Sequence, residues 1–221
     1  MVFRVTDKAL TLMEYIEFNV IPTYELMDKG HGLQHIEDVM QKCSDIIQDY
    51  PEINANMIYV IAAYHDLGRK HDHEYTDKEN IHEKLSAKLL MEDVNIWKWF
   101  TEEEIEVMAQ AIEDHRASGN NPPRSIYGKI IADGDRNLNC NDIIRRSLGY
   151  NMNKYPNSNK EELYQTVRAH MVKKYGYGGY LKLYLNWKGD VEALEDIRKR
   201  LVNEETFKED FNAIWKKEAV A

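Results

Sequence analysis

Eight consecutive apolar residues, Met57-Ile58-Tyr59-Val60-Ile61-Ala62-Ala63-Tyr64, run straight into His65-Asp66. A helix through this stretch has no polar face, so it folds only where neighbouring elements bury it on all sides. It is far shorter than the roughly 20 apolar residues that cross a bilayer, so the chain itself must provide the burial. The most buried helix therefore ends in an ionisable pair.

Helical periodicity extends over almost the whole chain. Thr6 is placed to cap a first helix carrying Ala9, Leu12, Met13, Ile16 and Val20, which Pro22 stops. A second has Ile36, Val39, Met40, Cys43, Ile46 and Ile47 on one stripe and ends near Tyr50-Pro51. The apolar third begins after Asn54 and closes at Leu67-Gly68. Polar residues from Gly68 to Asn80 read as a loop, and the next helix turns Leu85, Leu89 and Leu90 inward. Thr101 and Glu104 form a capping box ahead of Ile105, Met108, Ala109 and Ile112, and Ser125 caps the helix of Ile126, Tyr127, Ile130 and Ile131. Helical patterns follow from about Lys160 to Tyr175, Tyr180 to Trp187 and Val191 to Val202, with a last one to the C-terminus. Tyr177, Tyr180, Tyr184 and Trp187 read as core, while His170 reads as surface. No alternating strand pattern occurs, so the fold class is all-α: a compact single-domain helical bundle with a C-terminal helical extension.

At 221 residues, one domain plus an elaboration fits better than two domains. The expected division is 1–150 for a helical core and 151–221 for an extension packing on it. Lys and Arg total 29 against 38 acidic residues, a net charge of −9, which argues against a surface built to wrap a nucleic-acid polymer. No stretch suits a membrane, and the first eight residues lack the apolar core of a secretory signal, so the expected compartment is cytoplasmic. Cys43 and Cys140 lie far apart without a CxxC spacing and read as small buried hydrophobes.

Helix periods put several ionisable residues inside. His35 precedes Val39 by one turn, and His65 follows Ile61 by one turn with Asp66 beside it. His82 shares a face with Leu85, His115 follows Ile112, and Asp135 follows Ile131. Each alone is readily a hydrogen-bonded core residue. Together they place four His and two Asp on inner faces, and each unpartnered buried polar group costs about 1–3 kcal/mol. A divalent cation removes these penalties at once, taking imidazole nitrogens and carboxylate oxygens as ligands.

The ordered set His35, His65-Asp66 and Asp135 resembles the H…HD…D signature of the HD-domain metal-dependent phosphohydrolase superfamily. More locally, His31-Gly-Leu-Gln-His35, Tyr64-His-Asp-Leu-Gly68, His82-Glu83, His115-Arg116 and Ala132-Asp-Gly-Asp-Arg136 look like the bacterial stand-alone HD hydrolases. The motifs span residues 31 to 140, about half the chain. The resemblance implies that His35, His65, Asp66 and Asp135 ligate a first metal. His82 and His115 match histidines that hold a second metal, with Asp66 bridging, in two-metal members; single-metal members use such histidines for substrate phosphate. One ion or two, and which metal among Mn, Fe, Co, Ni, Zn and Mg, stays open. Asp133 competes with Asp135, which stands directly before Arg as in the family.

The implied activity is hydrolysis of a nucleotide or another small phosphorylated metabolite by metal-activated water. Asp66, Glu83 and Arg116 are the candidate catalytic residues, with Glu83 either a general base or a support for a ligand. Arg69, Lys70, Arg116 and Arg136 are candidates for binding substrate phosphate. His71 and His73 read as loop residues over a site, and His31 as a helix start or a support for His35. Two other function classes are weighed: a di-iron HD-type oxygenase cleaving a small organic or phosphonate substrate, and a non-catalytic ligand-binding HD scaffold. No nucleic-acid polymer or membrane partner is expected, and a homodimer is left open.

Overall fold

The computed structural model describes residues 10–27, 30–71, 82–116 and 121–218. They are helical throughout, with no strand among them. No helix among the described residues is long and apolar enough to cross a membrane. The chain divides into two compact units, residues 1–116 with 121–134, and residues 117–120 with 135–221. The break between the two units falls at 134/135.

The first unit opens with α1 (Leu12–Tyr15), capped by Thr11, whose hydroxyl accepts from the Glu14 amide at 3.2 Å while Glu14 accepts from the Thr11 amide at 2.8 Å. Thr6, the expected cap, lies outside the described residues. Pro22 does not stop the helical path, because it enters a 3-10 turn (Ile21–Leu26) at a position whose N–H has no helical partner to lose. Next come α2 (Leu33–Ile46), α3 (Ala55–Tyr64), α4 (His82–Glu92), α5 (Glu102–Asp114) and α6 (Ile126–Gly134). The helix α3 is the centre of this unit: α2, α4, α5 and α6 all pack on it, as its lack of a polar face requires. The expected caps are present at Asn54, Thr101 and Ser125.

Two departures concern the site. The chain after α3 does not pass directly into a loop: His65 is the C-cap, and Leu67–His71 form a 3-10 turn. On α4 the buried face is His82, Ser86, Ala87 and Leu90, while Leu85 and Leu89 are only half-buried. Ser86 belongs inside because its hydroxyl accepts the Gly68 amide at 2.8 Å.

The second unit comprises α7 (Cys140–Lys154), α8 (Lys160–Tyr175), α9 (Lys188–Val202) and α10 (Glu204–Glu218) around Ile144, Val167, Met171, Ile197, Phe207 and Phe211. The sequence pattern does not single out α7, a polar helix with Gly149 near its middle; it packs on α8 and α10. No helix forms over 180–187. The amides of Tyr180 and Leu181 donate to the Lys173 and Lys174 carbonyls at 3.2 and 2.9 Å, folding the chain back over the end of α8. Tyr177 and Tyr180 are consequently exposed, at 62% and 41%, and Leu181 and Leu185 take the buried places expected for the aromatics. His170 is exposed as expected, and both cysteines are buried and free.

A Cβ built on Gly134 would overlap the Cys43 sulfur of α2, so only glycine lets the end of α6 approach this closely. Gly134→Ala is expected to cost about 1–3 kcal/mol in chemical denaturation. Adding Cys43→Ala should recover most of that loss, and a double variant as unstable as the single one would contradict the contact.

Candidate metal centre

Four imidazoles and one carboxylate meet in the first unit. His35 comes from the first turn of α2, His65 and Asp66 from the end of α3, His82 from the start of α4 and His115 from the end of α5. His65, Asp66, His82 and His115 are each no more than 1% exposed, and the His35 side chain is 13% exposed. The rings form a continuous series, with centroids 5.4 Å apart for His35 and His65, 5.2 Å for His65 and His115, and 5.3 Å for His115 and His82.

The site divides into two groups that share Asp66. The Nε2 atoms of His35 and His65 are 3.4 Å apart and lie 3.5 and 3.6 Å from Asp66 Oδ2. The Nε2 atoms of His82 and His115 are 3.3 Å apart and lie 3.4 and 3.6 Å from Asp66 Oδ1. Backbone carbonyls assign the tautomers. His65 Nδ1 donates to Ala62 O at 2.8 Å and His115 Nδ1 to Ile112 O at 2.6 Å, so each presents an Nε2 lone pair. His82 Nε2 faces Arg69 Nη2 at 3.1 Å, and a guanidinium only donates, so this nitrogen is an acceptor as well. Burial first, then the Arg69 charge, pushes the His82 pKa down to about 3, leaving its ring neutral. Burial alone would raise the Asp66 pKa; the positive charge and donors around it, Arg69 among them, outweigh it and hold the carboxyl well below its usual range.

Lone pairs therefore face one another across about 3.3–3.6 Å in a buried place. Asp66 Oδ1 accepts no hydrogen bond: Arg69 Nε stands 2.8 Å away at an ion-pair distance without hydrogen-bond geometry. Such an arrangement suits a cation, since ligand atoms about 2.1 Å from a shared ion in tetrahedral array stand roughly 3.4 Å apart. Both triads, His35–His65–Asp66 and Asp66–His82–His115, offer the nitrogen and oxygen donors that a borderline divalent metal takes.

Among the residues expected to act on substrate, Glu83 Oε1 accepts from Arg116 Nη1 at 3.3 Å, and Glu83 Oε2 lies 3.3 Å from His82 Nδ1. The Arg116 side chain is 35% exposed, and Lys70 is exposed. His31 packs edge-on to His35 at 5.8 Å. Asp135 and Arg136 fall in the second unit, where Arg136 Nη1 stands 3.7 Å from Asp135 Oδ2, and Asp135 is in neither triad. Asp133 is wholly buried and lies in the first unit with the histidines. His73 lies outside the described residues, as does the side chain of His71.

Several supports have no signature in the sequence. Tyr24, wholly buried, donates to Ala63 O at 2.9 Å, and Tyr15 and Tyr64 both donate to Asp93 at 2.5 Å, fixing the end of α3 that carries His65-Asp66. Gly68 is the closest joint: a Cβ there would run into the His82 carbonyl and Leu85. Gly68→Ala should push the Asp66–Arg69 segment away from α4 and weaken divalent-metal binding roughly 10- to 100-fold, the usual cost of disturbing the support of metal ligands. Calorimetric titration with manganese checks this, and an unchanged isotherm would refute it.

A family model, the HD domain, matches residues 32–139, a span that begins just before His35 and extends past Arg136. No curated protein matches the chain. Among solved structures, the chain is similar to a crystal structure, at 1.45 Å resolution, of a predicted HD superfamily hydrolase from an uncultured Thermotogales bacterium. The two are 21% identical, with a TM-score of 0.52 over 93% of this chain and 99% of the other. That likeness reaches into the second unit and shows a common fold. His35 and His65-Asp66 stand on successive helices inside the span that the HD-domain model matches.

Proposed function

We propose that the protein is a metal-dependent phosphohydrolase acting on a nucleotide or another small phosphorylated metabolite. The observation that carries this reading is the buried Asp66 carboxylate, each of whose oxygens faces two imidazole nitrogens. His35, His65 and Asp66 would hold one divalent ion and Asp66, His82 and His115 a second. An ion bound there supplies positive charge to a phosphoryl oxygen and lowers the pKa of a bound water from 15.7 toward roughly 7.

The chain's own groups then divide the remaining work. Backbone carbonyls of Ala62 and Ile112 fix the rings of His65 and His115 so that only Nε2 faces the centre. Arg116, bonded through Nη1 to Glu83 and partly open to solvent, is proposed to bind a substrate phosphate, and exposed Lys70 adds charge from the adjoining turn. Glu83, whose Oε2 lies 3.3 Å from His82 Nδ1, is proposed either to support that ligand or to act as a general base.

Phosphate release from a panel of nucleotides and sugar phosphates, with manganese, cobalt, nickel, zinc, magnesium and iron in turn, tests the reading. Turnover with at least one metal is expected. His65→Ala and Asp66→Ala should abolish it together with metal binding. Arg116→Ala should keep the metal and raise KM by roughly 10- to 100-fold, the cost of a lost charge-assisted hydrogen bond. Oxygen uptake with iron and no phosphate release would replace hydrolysis by oxygen-dependent cleavage, and no turnover with any metal would leave a ligand-binding scaffold.

A further inference from the structure

The second triad already receives a cation from the chain. Arg69 leaves the 3-10 turn at Leu67–His71 and folds back so that Nε stands 2.8 Å from Asp66 Oδ1 and Nη2 stands 3.1 Å from His82 Nε2. These are two of the three atoms that His82, His115 and Asp66 offer to a metal. A guanidinium carries donors only, so the His82 contact takes up a lone pair that a metal bond needs, while the Asp66 contact sets a positive charge against the oxygen a metal would share. Both contacts fall on the Oδ1 side of Asp66; the pair His35 and His65 faces Oδ2. The two halves of the site are therefore unlike in charge, although each has two imidazoles and one carboxylate oxygen.

We infer that Arg69 is a built-in competitor for the second metal: its guanidinium occupies the donor atoms of the His82–His115–Asp66 triad, so that one ion binds readily beside His35 and His65 and another enters only as Arg69 swings out. The inference rests on the metal-binding reading of the site and extends it to the order and strength of the two binding events. The geometry permits the exchange. The Arg69 side chain is 21% exposed, and its neighbour Lys70 is exposed, so the guanidinium has a short path to solvent. An ion entering the triad would replace one positive charge by two beside the same carboxylate, so the gain in attraction offsets the lost ion pair with Asp66 and the lost hydrogen bond to His82.

A plain alternative makes Arg69 a support that orients Asp66 for the metals, and it predicts the opposite sign. Removing a support weakens metal binding, whereas removing a competitor strengthens it at one site. Metal-stripped full-length protein titrated with manganese, followed by calorimetry and electron paramagnetic resonance, distinguishes them without any turnover assay. Wild type should bind one ion tightly and a second more weakly. In Arg69→Ala the second affinity should rise by about tenfold or more with the first changed by no more than about threefold, as expected for loss of a charge-assisted contact. The exchange-coupled signal of two manganese ions sharing Asp66 should then appear at correspondingly lower metal concentration.

Arg69→Lys should fall between the two, because a single ammonium cannot bridge both Asp66 and His82. Arg69→Gln, which keeps a polar side chain without the charge, should shift binding in the same direction as alanine and guards against loss of fold, checked by circular dichroism. A second site that is unchanged or weaker in both neutral variants overturns the inference while leaving the metal reading standing. Absence of any bound manganese in wild type and variants alike overturns both.

Discussion

A carboxylate 1% exposed, ringed by imidazole lone pairs, is unstable as a set of neighbours unless positive charge sits among them. Much of the first unit serves to hold that set in place. The helix α3 is inserted among α2, α4, α5 and α6 because it has no polar side, and insertion brings its last turn and C-cap, His65 and Asp66, to the depth at which the other histidines arrive. The hydroxyl contacts of Tyr24 on Ala63 O and of Tyr15 and Tyr64 on Asp93 pin that end of the helix. Two glycines set the remaining distances, Gly68 against α4 and Gly134 against Cys43. Packing and site are thus one construction, in which apolar burial positions a polar centre that would otherwise oppose it.

The same geometry explains why imidazole tautomers matter more than the count of histidines. A histidine whose Nδ1 proton is committed to a carbonyl of its own helix has one orientation and one free nitrogen, as at His65 and His115. Their helices end at these residues, so the carbonyls of Ala62 and Ile112 have no helical amide four residues on and accept an imidazole, Ile112 O taking the His115 amide at 3.4 Å as well. Helix termination and ligand orientation are then a single event. Asp66 gains from the same arrangement, since the groups that hold its charge are those that would share an ion with it.

Much of this was legible in the sequence because it depends on local rules. The apolar run from Met57 to Tyr64, the Thr101–Glu104 capping box and the Ser125 cap act over a few residues, and each stands where the pattern puts it. The inward direction of His35, His65, His82 and His115 followed from helix period alone. What escaped depends on contacts between distant segments. Nothing near Ser86 announces that it accepts the Gly68 amide, and the stripe of Tyr177, Tyr180, Tyr184 and Trp187 keeps helical spacing although the amides after Gly179 are used to close α8. The polar helix α7 shows too little contrast between its faces to stand out, and its packing on α8 and α10 places it with the second unit. Whether a carboxylate such as Asp133 or Asp135 is buried is likewise settled by where a helix ends, a matter of one or two residues. Arg69 reads in the sequence as a phosphate contact; its turn back toward Asp66 and His82 comes from the 3-10 geometry after α3.

The central claim is that these side chains are assembled to hold a divalent ion. Crystals of the full chain grown with manganese, with diffraction recorded on both sides of the manganese absorption edge, test it most directly. The account predicts an anomalous peak bounded by His35, His65 and Asp66 Oδ2, and at high metal concentration another bounded by Asp66 Oδ1, His82 and His115. Manganese found only at surface carboxylates, with the four imidazoles hydrogen-bonded to one another and to water, would contradict it.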